Sequence, residues 1–213
     1  MTNRIGMLKE KAYIYEQKAW DSERYIIGVD EVGRGCLAGP LVAAAVVLKQ
    51  GNRHRLLRDS KILTEKQREE AWMWIREHAL AYGIGMVDHR CIDTYHIVEA
   101  TRRAMRRGLS QLMLSSQLSF DLIEHVLVDA LDPRYESLVD KTLFFCHGED
   151  LSISVAAASI VAKVYRDKLL ASFESSFCAY AFASHKGYGT MAHKRSLKEC
   201  GRSLIHRTSF LGT

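Results

Sequence analysis

The chain has 213 residues, of which 47% are hydrophobic and 26% charged, and a formal net charge of +5. This length is enough to bury a sizeable core as one domain, and the balance is that of a globular protein rather than a disordered or fibrous one. The longest apolar run, Leu37 to Leu48, is too short for a membrane helix, which needs roughly 20 residues, and it contains Gly39 and Pro40. The segment Met1 to Glu10 lacks a signal-peptide core, so a cytoplasmic location is expected. Five cysteines, at 36, 91, 146, 178 and 200, are odd in number and widely spaced with no C-x-x-C pair. That argues against both a disulfide framework and a zinc ribbon.

In chain order, residues 24–30 and 40–48 read as β-branched, apolar strands separated by a glycine-rich turn. The first strand ends in adjacent carboxylates, Asp30 and Glu31, followed at once by Gly33-Arg34-Gly35. Strand side chains alternate between faces, so neighbouring acids cannot both enter one core. Crowded carboxylates stay ionised most easily beside a positive charge, and a hard divalent cation is the natural one. Asp59-Ser60-Lys61 lies in a polar connection, and Thr64 begins a partial capping box for a helix through about His78, with Trp72, Ile75 and Ala79 on its core side. Ala81 to Val87 reads as a strand weakened by two glycines, and Asp93 to Leu114 as a long amphipathic helix carrying Arg102, Arg103, Arg106 and Arg107. A solvated helix face explains those arginines taken alone.

Residues 125–129 form a short apolar run ending in Asp129, and Leu143 to Cys146 another, ending at His147-Gly148-Glu149-Asp150. Ser154 to Phe173 is a strong helix, its alanines at 156–158 suited to lying on a sheet. Gly187-Tyr188-Gly189 breaks the chain before a basic helix from Met191 to Cys200. Residues 185–207 hold six Lys and Arg against Glu199 alone, which points to a polyanion partner. This pattern predicts a mixed α/β domain with a trailing helical segment. Acids recurring at strand ends, namely Asp30-Glu31, Asp129 and Glu149 or Asp150, suit two Mg²⁺ or Mn²⁺ ions roughly 4 Å apart, one generating hydroxide for in-line attack on phosphorus and the other stabilising the leaving oxygen. No Ser–His–Asp or Cys–His order is evident.

Asp30-Glu-Val-Gly-Arg-Gly-Cys-Leu-Ala-Gly-Pro, Asp59-Ser-Lys, the 156–167 stretch ending Tyr-Arg-Asp167, His185-Lys-Gly-Tyr-Gly-Thr190 and Ile205-His-Arg-Thr-Ser-Phe210 together resemble the type 2 ribonuclease H family, in family order from about residue 24 to 210. The resemblance implies a ribonuclease H-like α/β fold with a mixed central sheet flanked by helices and a C-terminal helical segment. It implies cleavage of the RNA strand of RNA–DNA hybrids and nicking of DNA 5′ to single embedded ribonucleotides, leaving a 5′-phosphate and a 3′-hydroxyl. It carries over Asp30, Glu31 and Asp129 as metal ligands and catalytic residues. The family's fourth ligand is usually the Asp of a Lys-Gly-Asp triplet. Here the triplet reads His147-Gly148-Glu149, so Glu149 stands in register with Asp150 in reserve. Asp167 reads instead as a helix salt-bridge residue.

By the same resemblance, Gly33, Arg34 and Gly35 sense the 2′-hydroxyl together with Tyr188, whose ring favours a deoxyribose on the 3′ side. Ser60, Lys61, Lys163 and Lys186 are expected to grip phosphate, and His185, His193 and His206 have no assigned role. A monomer is expected, residues 24–180 forming the core and 181–213 the basic substrate-binding segment. Three other readings are weaker. A dinucleotide-binding turn fails because the glycines run G-x-G-x-x-x-G and Pro40 opens a strand. A noncatalytic nucleic-acid-binding module leaves the strand-end acids idle. A type 3 ribonuclease H acting on hybrids only is expected to carry an N-terminal domain for which Asp30 stands too near the start.

Overall fold

In the computed structural model, which describes residues 13–58, 60–129, 131–145, 148 and 151–210, the apolar runs form one five-stranded sheet. Strands β1 (Tyr25–Val32), β2 (Leu41–Leu48), β3 (Ala79–Val87), β4 (Ile123–Asp129) and β5 (Thr142–Phe145) stand in the order β3-β2-β1-β4-β5. The first three make an antiparallel meander, and β4 and β5 continue the sheet in parallel from β1. The mixed sheet expected from the sequence is thus present. Its helices are α1 (Ile14–Asp21), α2 (Glu65–His78), α3 (His89–Ser115), α4 (Ile153–Ser172), the single turn α5 (Phe182–His185) and α6 (Met191–Cys200).

Side-chain alternation sends β2 into two cores at once, which is why it reads as a continuous apolar run and is buried throughout. Val42, Ala44, Val46 and Leu48 pack with Ala71 and Ile75 of α2 and with Ala157, Ala158 and Val161 of α4. Ala43, Ala45 and Val47, with Ile27 and Val29 of β1, pack on Ala100, Ala104, Met105 and Leu109 of α3. Glycines set how closely the helices approach. A β-carbon on Gly28 of β1 would overlap the backbone of Ser154 and Val155 in α4, and one on Gly83 or Gly85 would overlap α3 at Ala104, Gly108 and Leu112. The two glycines that weaken β3 as a sequence pattern are therefore what lets α3 lie on it.

The capping box expected at Thr64 is present, and two further caps accompany it. Thr64 and Gln67 complete a reciprocal capping box on α2, Ser152 caps α4 through the Val155 N–H and Thr190 caps α6 through the His193 N–H. Two elements differ from expectation. The helix expected to begin at Asp93 starts at His89, capped by Asp88, and turns at His96, whose φ is 62°. Helix α1 had no sequence signal of its own. Its buried Glu16 accepts hydrogen bonds from the Ser152 hydroxyl and the Ser154 N–H, tying α1 to the start of α4. The α3 arginines are spent within the fold: Arg103 and Arg106 pair with Glu99, Arg107 donates to the Met86 carbonyl, and Arg102 to that of Asp132.

Gly28→Ala forces β1 and α4 apart and is expected to destabilise the protein by about 3 kcal/mol, the upper range for overpacking a filled core. Urea denaturation checks this, and a change within about 0.5 kcal/mol of zero contradicts the close-approach account.

Candidate active site

Strand β1 does not stop before its acids. It runs through Asp30 and Glu31 to Val32, pairing them with Ala44 and Ala43 of β2. The ladder to β4 ends at Val29 opposite Val128, so Asp30 and Asp129 are the next residues along two adjacent parallel strands. Neighbouring strands stand about 4.8 Å apart, so register brings these two carboxylates to one sheet edge. By alternation Asp30 shares its face with Gly28, toward α4, while Glu31 turns the other way and meets Arg34 at 3.6 Å. Asp129 accepts the Gly148 N–H at 3.1 Å. Glu149 and Asp150 lie outside the described residues, as does Asp59.

Each acid is held in a way that leaves capacity free. Asp30, only 7% exposed, accepts its neighbour's N–H from Glu31 at 2.7 Å and takes a hydrogen bond from Ser159 of α4. Ser159 in turn meets the Ser60 hydroxyl at 2.8 Å. Ser60 is buried, and through Ser159 it braces Asp30 from behind. Burial first, then the charges of Glu31 and Asp129, raise Asp30 well above the ordinary carboxylate range. Burial likewise pushes Glu31 up to about 7, against the pull of Arg34 and Lys61. Among the described residues the buried Glu31 Oε2 has no hydrogen-bond partner. Crowded, desolvated carboxylates suit a divalent cation, although among the described residues no group of three or more His, Cys, Asp or Glu is arranged to hold a metal ion.

Beside the acids, residues 33–40 are held from inside by two buried guanidiniums that sequence reading did not single out. Arg166 of α4 donates to the carbonyls of Pro40, Lys186 and Ala38 at 2.9, 2.8 and 3.2 Å. Arg207 donates twice to Gly39 and once, at 3.0 Å, to Arg34. Gly33, at φ +96°, lies against Arg166, where a β-carbon would overlap the guanidinium. The only sequence signal for these arginines is their place inside motifs. Their burial is invisible without the fold.

The far side of the loop pairs with the C-terminal segment. Cys36 bridges to Tyr188 and Ala38 to His206, reinforced by Leu37 N–H to Gly187 and Arg207 N–H to Leu37, both 2.9 Å. Tyr188 is 37% exposed, with Lys163 Nζ 5.5 Å from its ring centre. Burial raises its phenol to about 12, and the Cys36 thiol, fully buried, is also pushed up, which makes it a poor nucleophile. Lys163 pairs with Asp167 at 3.0 Å, so Asp167 is the helix salt-bridge residue expected. Lys186 folds back to donate to the Ala183 carbonyl at 2.6 Å. Lys61 is exposed near Glu31.

A mixed sheet of this order, with carboxylates ending its two central parallel strands beside a glycine loop, defines a ribonuclease H-like nuclease. The ribonuclease HII family model matches residues 27–213. Ribonuclease HII of Ruminiclostridium cellulolyticum is 44% identical over 203 residues, covering 95% of this chain and 76% of its own length. That of Acholeplasma laidlawii is 45% identical over 186 residues, 87% of each chain. The crystal structure of ribonuclease H2 from Pyrococcus horikoshii superposes with a TM-score of 0.69 at 26% identity, over 87% of this chain and 93% of that one. The chain belongs to the ribonuclease HII family, metal-dependent hydrolases that act on RNA–DNA substrates.

The raised acids give a pH prediction for the metal-free protein. An acid that binds its proton more tightly when folded costs nothing below its unfolded pKa and costs stability as pH rises toward its folded value. For Glu31 that window runs from 4.5 to about 7. In EDTA the melting temperature should therefore fall across this window, and Glu31→Gln should lessen the fall. Parallel melting profiles for the two proteins contradict the assignment.

Proposed function

We propose that the protein is an endonuclease that cleaves the RNA strand of RNA–DNA hybrids and nicks DNA on the 5′ side of an isolated ribonucleotide, leaving a 5′-phosphate and a 3′-hydroxyl. The observation that carries this reading is the direct joining of Asp30 and Glu31 to the Gly33–Gly35 loop, with Tyr188 paired to Cys36 on that loop. Gly35 adds support. Among the described residues nothing lies within 4 Å of where its β-carbon would sit and its φ is not positive, so neither packing nor backbone there demands glycine. A sugar pressed against the backbone does demand it, and the backbone polar groups there can read a 2′-hydroxyl.

Asp30, Glu31, Asp129 and Glu149, with Asp150 in reserve, are the residues that would hold Mg²⁺ or Mn²⁺, two ions in the catalytic complex. When bound there, the metal supplies activation of the attacking water and charge stabilisation at the leaving 3′ oxygen. The chain's own groups supply position. Ser159 and Ser60 hold Asp30, the Gly148 N–H holds Asp129, and Arg34 stands over Glu31. Tyr188 offers a ring face to the adjoining sugar and keeps its hydroxyl protonated at any working pH. Lys61 and Lys163 lie near enough to the acids and the ring to meet the phosphates. The exposed Lys194, Arg195, Lys198 and Arg202 suit the duplex backbone farther out, which makes binding salt-dependent. We infer a monomer acting as one domain in the cytoplasm, consistent with free cysteines at 36, 91, 178 and 200. Among the described residues no helix is long and apolar enough to cross a membrane.

The test is cleavage of labelled duplexes carrying one ribonucleotide, a continuous RNA strand or DNA alone, with Mg²⁺, Mn²⁺ or EDTA. A metal-dependent nick 5′ to the single ribonucleotide, absent on DNA alone, is expected. Cleavage restricted to the continuous hybrid overturns the single-ribonucleotide reading, and cleavage that persists in EDTA overturns the metal reading. Asp30→Asn should lower turnover by at least about a thousandfold, the several kcal/mol that metal-assisted charge stabilisation contributes, while the protein still folds. Tyr188→Ala should reduce cleavage at an isolated ribonucleotide more than cleavage of the continuous hybrid.

A further inference from the structure

Three histidines without an assigned role, His185, His193 and His206, meet in the C-terminal segment. All are buried, at 8%, 0% and 2% exposure. The rings of His185 and His193 stack with centres 4.3 Å apart, and those of His193 and His206 touch through their Nε2 atoms at 2.9 Å. Such a cluster suggests a metal site, but its nitrogens are already engaged. His206 Nδ1 faces the Ser203 N–H at 2.9 Å and the Ser203 hydroxyl, which can donate to it as well, at 2.7 Å, His193 Nδ1 faces the Tyr188 carbonyl at 2.9 Å, and the His185 nitrogens face the Gly187 N–H and the Tyr180 carbonyl.

The proton positions follow from these partners. An N–H can only donate, so His206 Nδ1 must accept, which places the neutral ring's proton on Nε2. A carbonyl can only accept, so His193 Nδ1 must carry a proton, which leaves its Nε2 as an acceptor. Both ends of the chain thus dictate one direction: Ser203 N–H to His206, His206 Nε2–H to His193, His193 Nδ1–H to the Tyr188 carbonyl. Burial supports two neutral rings, lowering His193 and lowering His206 to about 4. The same Tyr188 carbonyl accepts the Thr190 N–H at 2.8 Å, and the Tyr188 N–H donates to the backbone carbonyl of His185 at 2.9 Å. The backbone of the exposed tyrosine is therefore fixed by local turn bonds together with the His193 ring at its carbonyl.

We propose that His206 and His193 are positioning residues that set Tyr188 against the substrate sugar, so that a hydrogen-bond relay from the C-terminal segment determines selectivity for an isolated ribonucleotide. This rests on the sugar-reading role proposed above for Tyr188. The relay also couples two sides of the 33–40 loop, because Ala38 pairs with His206 and Cys36 with Tyr188. A shift of the His206 ring would therefore reach Tyr188 directly, without passing through the strand-end acids.

The test compares His206→Phe with His206→Gln. Phenylalanine keeps a ring against Tyr180 and Phe182, which His206 contacts, but cannot donate to His193; glutamine retains a donor. For His206→Phe, kcat/KM on the single-ribonucleotide duplex should fall about tenfold more than on the continuous hybrid, the effect of one buried acceptor left unpaired. Glutamine should recover most of that selectivity. An equal loss on both substrates, or no recovery by glutamine, overturns the proposal in favour of a purely structural role. Ring-nitrogen NMR of the wild-type protein at pH 7 should show His193 protonated on Nδ1 and His206 on Nε2. The opposite tautomers, or an imidazolium at either position, overturn it whatever the variants do. If the wild-type protein cleaves neither duplex, it is the functional reading that fails. The relay is then decided by whether His206→Phe moves the Tyr188 ring resonances, and unmoved resonances overturn it.

Discussion

Taking a guanidinium out of water is expensive unless its donors are met, and this structure does so twice in the same place. Arg166 comes from α4 and Arg207 from the last segment of the chain, and both spend their N–H groups on the carbonyls of residues 34–40 and Lys186. The burden on Arg207 is visible in its own ionisation, which burial lowers to about 10. In return, a glycine-rich loop that would otherwise be mobile is fixed from within. The sheet, α4 and the C-terminal segment all converge on that loop, and the acids of β1 run directly into it. Loop, acids and tyrosine are thus parts of one bonded unit.

The carboxylate edge shows the opposite economy. Asp30 is buried and Glu31 half-buried beside it, both close to Asp129, and the two β1 acids hold their protons more tightly than free carboxylates. Small residues make room for this: Ala43 and Ala44 stand opposite the acids on β2, and Gly28 lets α4 bring Ser159 up to Asp30. A site that repels itself when empty of countercharge gains affinity for a cation from the same repulsion. Local instability in the metal-free fold is the expected companion of a strong metal site.

Much of this was legible in the sequence because it was written in period and punctuation. β-Branched apolar runs located the strands, Thr64 marked a helix start, and Asp-Glu followed by Gly-Arg-Gly marked the candidate site. The limits were physical. Nothing local says that Gly83 and Gly85 serve helix packing, because the helix they admit is α3, whose contacting residues begin near Ala104. The local partners of Ser60 and Lys186 were not legible either, because a polar residue in a loop gives no sign of what lies behind it; the fold puts Ser159 behind one and the Ala183 carbonyl behind the other. Arg166 and Arg207 take most of their partners from more than a hundred positions away, and the histidine relay, though confined to residues 188–206, exists only once that segment has folded back on itself. Helix α1 was missed because its anchor is a carboxylate, Glu16, bonded to residues more than a hundred positions on.

The central claim is that the acids ending β1 and β4 are a divalent-metal site abutting the ribonucleotide-reading loop. Anomalous diffraction from crystals containing Mn²⁺ and a duplex with one ribonucleotide tests it most directly. The account predicts manganese peaks bounded by Asp30, Glu31 and Asp129, with the ribose 2′-hydroxyl against Gly33–Gly35 and Tyr188 on the adjoining sugar. Manganese bound elsewhere, or a ribonucleotide seated away from that loop, would contradict it.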